Sequence, residues 1–221
     1  MSGNLVLVRT ESQYQLTSTF LRFQEHYESP KFRGEIFSLE EFMDWYTAEN
    51  EGEFTYYEDW AGFNIPSSIL QPFREGKFDP LSIKERRLLE LLADMPEPFY
   101  LIGTYGSRID LPTVKHELVH GLYYTVPDYR EEVLRKLEKN QTESIAQALK
   151  KAGYHPSVWL DEANAYLMMG IEDLFEDGFR WSDELKNLQK DLQQIFRIHF
   201  GFSLRGASQD KILSFFSSVR L

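Results

Sequence analysis

At 221 residues, with 42% apolar and 15% aromatic side chains, the chain can bury the cores of one large domain or two small ones, which excludes a disordered polymer. A formal charge of −11 argues against nucleic acid as a partner, because that affinity is built from Lys and Arg on phosphate, and against anionic membrane surfaces. With no cysteine, disulfides, thiolate metal sites and cysteine nucleophiles are excluded together, and any metal must be held by His and carboxylate.

No run approaches the roughly 18 apolar residues of a spanning helix, and Met1 to Arg9 lacks the charged-then-apolar order of an export signal. The expectation is a soluble, unexported, cytoplasmic protein. Leu5-Val6-Leu7-Val8 is compatible with a short strand and Thr19 to Glu25 with a short helix, followed by a loop around Pro30 and Gly34. Ser38 and Glu41 have the spacing of a capping box, and Leu39, Phe42, Met43 and Tyr46 continue at helical period to about Asn50. From Phe54 to Asn64 the chain is crowded with aromatics, which suits strands or packed loops. Core packing is favoured there over a ligand groove.

A second capping box, Ser82 with Glu85, opens a helix reaching about Asp94. Phe99 to Tyr105 has the strongest strand pattern in the chain, and at a sheet edge such a strand can bind an extended peptide through its backbone. Asp110-Leu111-Pro112 reads as the start of the next helix. Beyond Val126-Pro127 the pattern is helical throughout: Asp128 to Lys139, Thr142 to Ala152 with Gly153 as its stop, Pro156 to about Glu176, Ser182 to Phe200 with Gly201, and Ser208 to Val219. The expected fold is α+β: one domain over 1–221, with a mixed part holding a short sheet over 1–111 and a helical part over 112–221.

Chemistry gathers at Lys115-His116-Glu117-Leu118-Val119-His120-Gly121. On a helix, His116 and His120 stand one turn apart on one face, as two adjacent ligands of a zinc ion require. Glu117 lies beside them as the base for a zinc-bound water. Val114, Leu118, Gly121 and Leu122 take the opposite side and anchor the helix to the core, so the polar triad faces a cleft.

This HExxH pattern resembles the signature of the zincin metallopeptidases, matched by His116, Glu117 and His120 and confined to this helix and one more. The metzincin extension is absent, since Tyr123 and Val126 stand where it needs a glycine and a histidine. The gluzincin pattern implies a third ligand on a later helix, and Glu162 in Trp159-Leu160-Asp161-Glu162-Ala163-Asn164-Ala165-Tyr166 occupies a matching place. Glu162 shares a helix face with Val158, Trp159, Ala165, Tyr166 and Met169, and a carboxylate buried in that apolar stripe needs a partner. Asp161 projects between faces and suits the orientation of a ligand histidine through its second nitrogen. Asp161 and His155 remain rival third ligands.

The resemblance implies a zinc metallopeptidase acting on a peptide or protein substrate, with Glu117 as general base and a separate oxyanion donor. Tyr166 is the first choice for that donor, before Tyr124, Tyr105 and Arg108. Two other classes stand beside it. One is an inactive zincin-like zinc protein acting as a binding module. The other is a carboxylate-bridged dimetal site, disfavoured because a second Glu-x-x-His is missing.

Overall fold

The computed structural model describes residues 4–140, 143–152, 154–170 and 182–221. The fold is α+β, and its residues group into two compact units, Asn4–Ile109 with Phe216–Leu221, and Asp110–Phe215.

The first unit runs β1 (Leu5–Thr10), α1 (Gln13–Glu28), α2 (Leu39–Glu49), α3 (Tyr56–Asp59), β2 (Phe63–Pro66), α4 (Gln71–Arg74), α5 (Ile83–Leu91) and β3 (Tyr100–Tyr105). Its sheet has the order β2-β3-β1-β4, where β4 is the chain's last element, Phe216–Arg220. β1 runs parallel to both β3 and β4, while β2 is antiparallel to β3. The apolar run at the start of β1 follows from this position, since a strand paired on both sides and covered on its faces has no solvent side to make polar.

Gly103 on β3 lets α1 lie close to the sheet. A Cβ at that position would stand 2.8 Å from Leu16 Cδ1 and 3.0 Å from the Phe20 ring. Both capping boxes form as their spacing predicts. Glu85 has a second task, because its carboxylate also receives two hydrogen bonds from the buried Arg22 guanidinium at 2.6 and 2.7 Å. Tyr56 and Phe63 sit in the aromatic core with Phe20, Phe42 and Phe73, as core packing requires.

Three expectations are corrected. The helix expected from Thr19 begins at Gln13, because Ser12 caps it through the Gln15 amide and Leu16 extends the buried stripe by a turn. The aromatic stretch holds one helical turn, α3, before its strand. The position of β3, which its sequence leaves open, is interior: it is hydrogen-bonded on both sides and has no free edge for a peptide. The helix expected over Ser208 to Val219 stops at Leu213, and the chain then pairs with β1 as β4.

The second unit is helical: α6 (Leu111–Thr125), α7 (Pro127–Glu138), α8 (Glu143–Lys151), α9 (Trp159–Met169), α10 (Asp183–Phe200) and α11 (Gln209–Leu213). α6 packs on α9 and α7, and α10 closes against α7 and α9. Ser182 caps α10, and Gly201 ends it in the left-handed conformation expected of a terminating glycine. The expected stop at Gly153 and extension to Glu176 lie outside the described residues. Among the described residues, no helix is long and apolar enough to cross a membrane.

Candidate metal centre

Two helices of the second unit carry the site. α6 opens with Pro112 in its first turn and with Thr113 Oγ1 donating to Asp110 Oδ2 at 2.5 Å. Its fully buried stripe of Val114, Leu118, Val119 and Leu122 fixes its rotation. That stripe turns His116 and Glu117 toward a cavity and leaves His120 buried behind them. α9 follows a short 3₁₀ turn, Pro156–Val158, capped by the His155 ring through the Ser157 amide. Ala163, Ala165, Leu167 and Met168 are its buried apolar residues, and Glu162 is buried among them.

His116 Nε2 and His120 Nε2 stand 3.1 Å apart. Glu162 Oε2 lies 3.9 Å from the first and 3.7 Å from the second. Ligand atoms about 2.0–2.1 Å from a tetrahedral zinc ion are separated from one another by about 3.3 Å, so each separation in the trio is within about 0.6 Å of that arrangement. These three are the one such cluster among the described residues. Glu162 Oε2 is buried and makes no hydrogen bond there, which leaves a carboxyl oxygen facing two ring nitrogens without a hydrogen-bond partner.

The second nitrogen of His120 has a carboxylate beside it. Its Nδ1 lies 3.0 Å from Asp161 Oδ1, an ion-pair contact that favours a proton on Nδ1 and leaves Nε2 facing the cluster. Electrostatics describes a site that holds protons in place of a cation. Burial, reinforced by His120, pushes His116 down to about 3, so its imidazole is neutral. Burial also acts to lower His120, but Asp161, Glu162 and Glu117 outweigh it and hold that ring well above its ordinary value. Glu162 is pushed up to about 7 by burial, against the downward pull of His120. A divalent cation would displace the protons on Glu162 and His120 and satisfy the orphaned oxygen, so the donor set fits a metal.

A cavity of 470 Å³ opens beside the trio, lined by Thr113, His116, Glu117, Tyr154, Tyr166 and Met169 among others. The Tyr166 ring meets His116 edge-on at 5.1 Å between centroids. The chain thus brings together His116, His120, Glu162, Glu117 and Tyr166. It does not bring in His155, which is exposed and serves as the cap, nor Asp161 as a direct member, since that carboxylate faces the far side of His120. Tyr105 and Arg108 belong to the other unit. Sequence reasoning missed Tyr154, whose hydroxyl is 3.0 Å from that of Tyr166. The nearest signal was its place directly before the capped turn that starts α9, which folds it back along that helix.

Compared with known proteins, the chain matches no family model, no curated protein and no solved structure.

Proposed function

We propose that the chain is a zinc-dependent hydrolase, and specifically a zincin-type metallopeptidase, with His116, His120 and Glu162 as metal ligands and Glu117 as general base. The observation that carries this is the convergence of three ligand-type atoms from α6 and α9 within 4.8 Å of one another, one of them on His116, which lines a cavity together with Glu117. A zinc ion held there supplies a Lewis acid that polarises a carbonyl and acidifies a water molecule.

The chain's own residues do the rest. Glu117 takes the proton of the attacking water and passes it to the leaving amine. Asp161 keeps the His120 ring in the tautomer and orientation that present Nε2. Tyr166 donates its hydroxyl to the oxygen on which negative charge develops. The substrate is a peptide or protein; the charge of −11 disfavours nucleic acid, and the cysteine-free composition suits the cytoplasm.

The test is metal analysis of the purified chain together with zinc-dependent cleavage of a quenched-fluorescence peptide library. The expected result is about one zinc per chain and hydrolysis that a chelator abolishes. Glu117→Gln should keep the metal and lower hydrolysis by about 10²- to 10⁴-fold. Full activity in that variant would refute the mechanism. Bound zinc without hydrolysis in the wild type would favour the inactive binding module.

A further inference from the structure

Tyr154 and Tyr166 face each other across the cavity wall with hydroxyls 3.0 Å apart. One proton lies between two such oxygens. The hydroxyl that accepts keeps its own proton to direct elsewhere, and accepting a bond makes it a stronger donor. Which tyrosine accepts follows from their surroundings. Tyr166 is one turn along α9 from Glu162, and its ring lies edge-on to His116, so it is the partner beside the ligand cluster. Tyr154 stands off that helix. Its backbone is tied down by Trp159 Nε1, which donates to its carbonyl at 2.9 Å, and by its own amide, which donates to Leu149 O at 3.0 Å. A tyrosine whose backbone is held at both its amide and its carbonyl is suited to orienting a neighbour.

We infer that Tyr154 is a positioning residue for the oxyanion donor: it donates to the Tyr166 hydroxyl and turns the Tyr166 proton into the cavity, so that the two tyrosines act as one unit. This rests on the hydrolase reading and adds to it a residue on a separate segment. Burial keeps Tyr154 protonated well above the ordinary tyrosine range, as a donor must be.

Acetohydroxamate provides the test, because its carbonyl oxygen stands in for the substrate oxygen on which the oxyanion develops and its binding requires no turnover. Its affinity for the zinc-loaded full chain is measured by calorimetry for wild type, Tyr154→Phe, Tyr166→Phe and the double variant, each checked for zinc stoichiometry. All four should hold the same zinc. Tyr166→Phe should weaken hydroxamate binding by about tenfold or more, Tyr154→Phe by about threefold to tenfold, and the double variant no more than Tyr166→Phe alone.

Losses that multiply in the double variant would show two independent donors and overturn the inference, as would a Tyr154→Phe variant that binds like wild type. A larger loss from Tyr154→Phe than from Tyr166→Phe would reverse the roles and also overturn it. Should Tyr154→Phe fail to fold, Trp159→Phe removes the bond that anchors the Tyr154 carbonyl. It should weaken hydroxamate binding in the wild-type background and leave it unchanged in Tyr166→Phe, and an equal loss in both would overturn the inference. A wild-type chain that binds no zinc would fail the hydrolase reading itself, a result separable from all of these.

Discussion

Replacing Glu162 by glutamine should move stability and metal affinity in opposite directions. Glu162 is buried, and its carboxyl titrates at about 7 in the fold against the 4.5 of a solvated glutamate. Because the folded value is raised, the fold binds the proton more tightly than the unfolded chain does. The carboxyl therefore costs nothing below about pH 4.5, and its cost grows as pH rises to about 7. At roughly 1.4 kcal/mol per pH unit the full cost is about 3 kcal/mol, which relaxation around the site reduces to about 1–3 kcal/mol.

Glutamine has the shape of the protonated acid and never ionises. Glu162→Gln in the metal-free state should thus match wild type near pH 4 and exceed it by about 1–3 kcal/mol at pH 8, read from urea midpoints in a chelator. Metal binding should respond the other way. Zinc held by four protein ligands in small peptides is bound by about 10–16 kcal/mol, so one ligand is worth about 3 kcal/mol, or about 100-fold in Kd. A metal-free Glu162→Gln less stable than wild type at pH 8 would mean that the carboxylate exists to pair with His120. That result, or an unchanged zinc Kd, would refute its assignment as a ligand.

Zinc binding should release more protons at pH 6 than at pH 8, because the cation displaces the proton that Glu162, pushed up to about 7, holds mainly at the lower pH; calorimetry in buffers of different ionisation enthalpy counts them. Asp161→Ala removes the acceptor for His120 Nδ1 and should weaken zinc binding by about 10- to 100-fold, measured by competition with a chromogenic chelator. In the sheet unit, Glu85→Ala should destabilise by about 3–5 kcal/mol in urea unfolding. It leaves the Arg22 guanidinium, whose side chain is only 6% exposed, without its counterion, and it also deletes the α5 capping box.

Three of the five candidate site residues were legible from short-range pattern alone. His116, Glu117 and His120 are placed by helical period, and the Val114, Leu118 and Leu122 stripe that orients them is a property of the same few turns. The capping boxes at Ser38 and Ser82 are equally local, since every partner lies within three residues. Glu162 was legible only in part. Its apolar helix face announced a buried carboxylate in need of a partner, but that the partner is the His116 and His120 pair depends on α9 packing against α6.

What tertiary structure alone decided is of the same long-range kind. Phe216–Arg220 follows an apolar stretch with helical spacing, yet pairing with β1 overrides that local preference and makes it a strand. β3 has the pattern of a strand whether it lies at an edge or inside, and only its neighbours β2 and β1 made it interior. Tyr154 carries no sign of its role, because its hydroxyl meets that of Tyr166 only once the turn before α9 folds back on the helix. Sequence by itself determined the helix that carries His116, Glu117 and His120 and the side they share, since hydrogen bonds and side-chain contacts within a few turns define them. The approach of Glu162 to the two histidines and the tyrosine pair were left to the packing of α9, because each joins residues that a helix cannot bring together along its own axis.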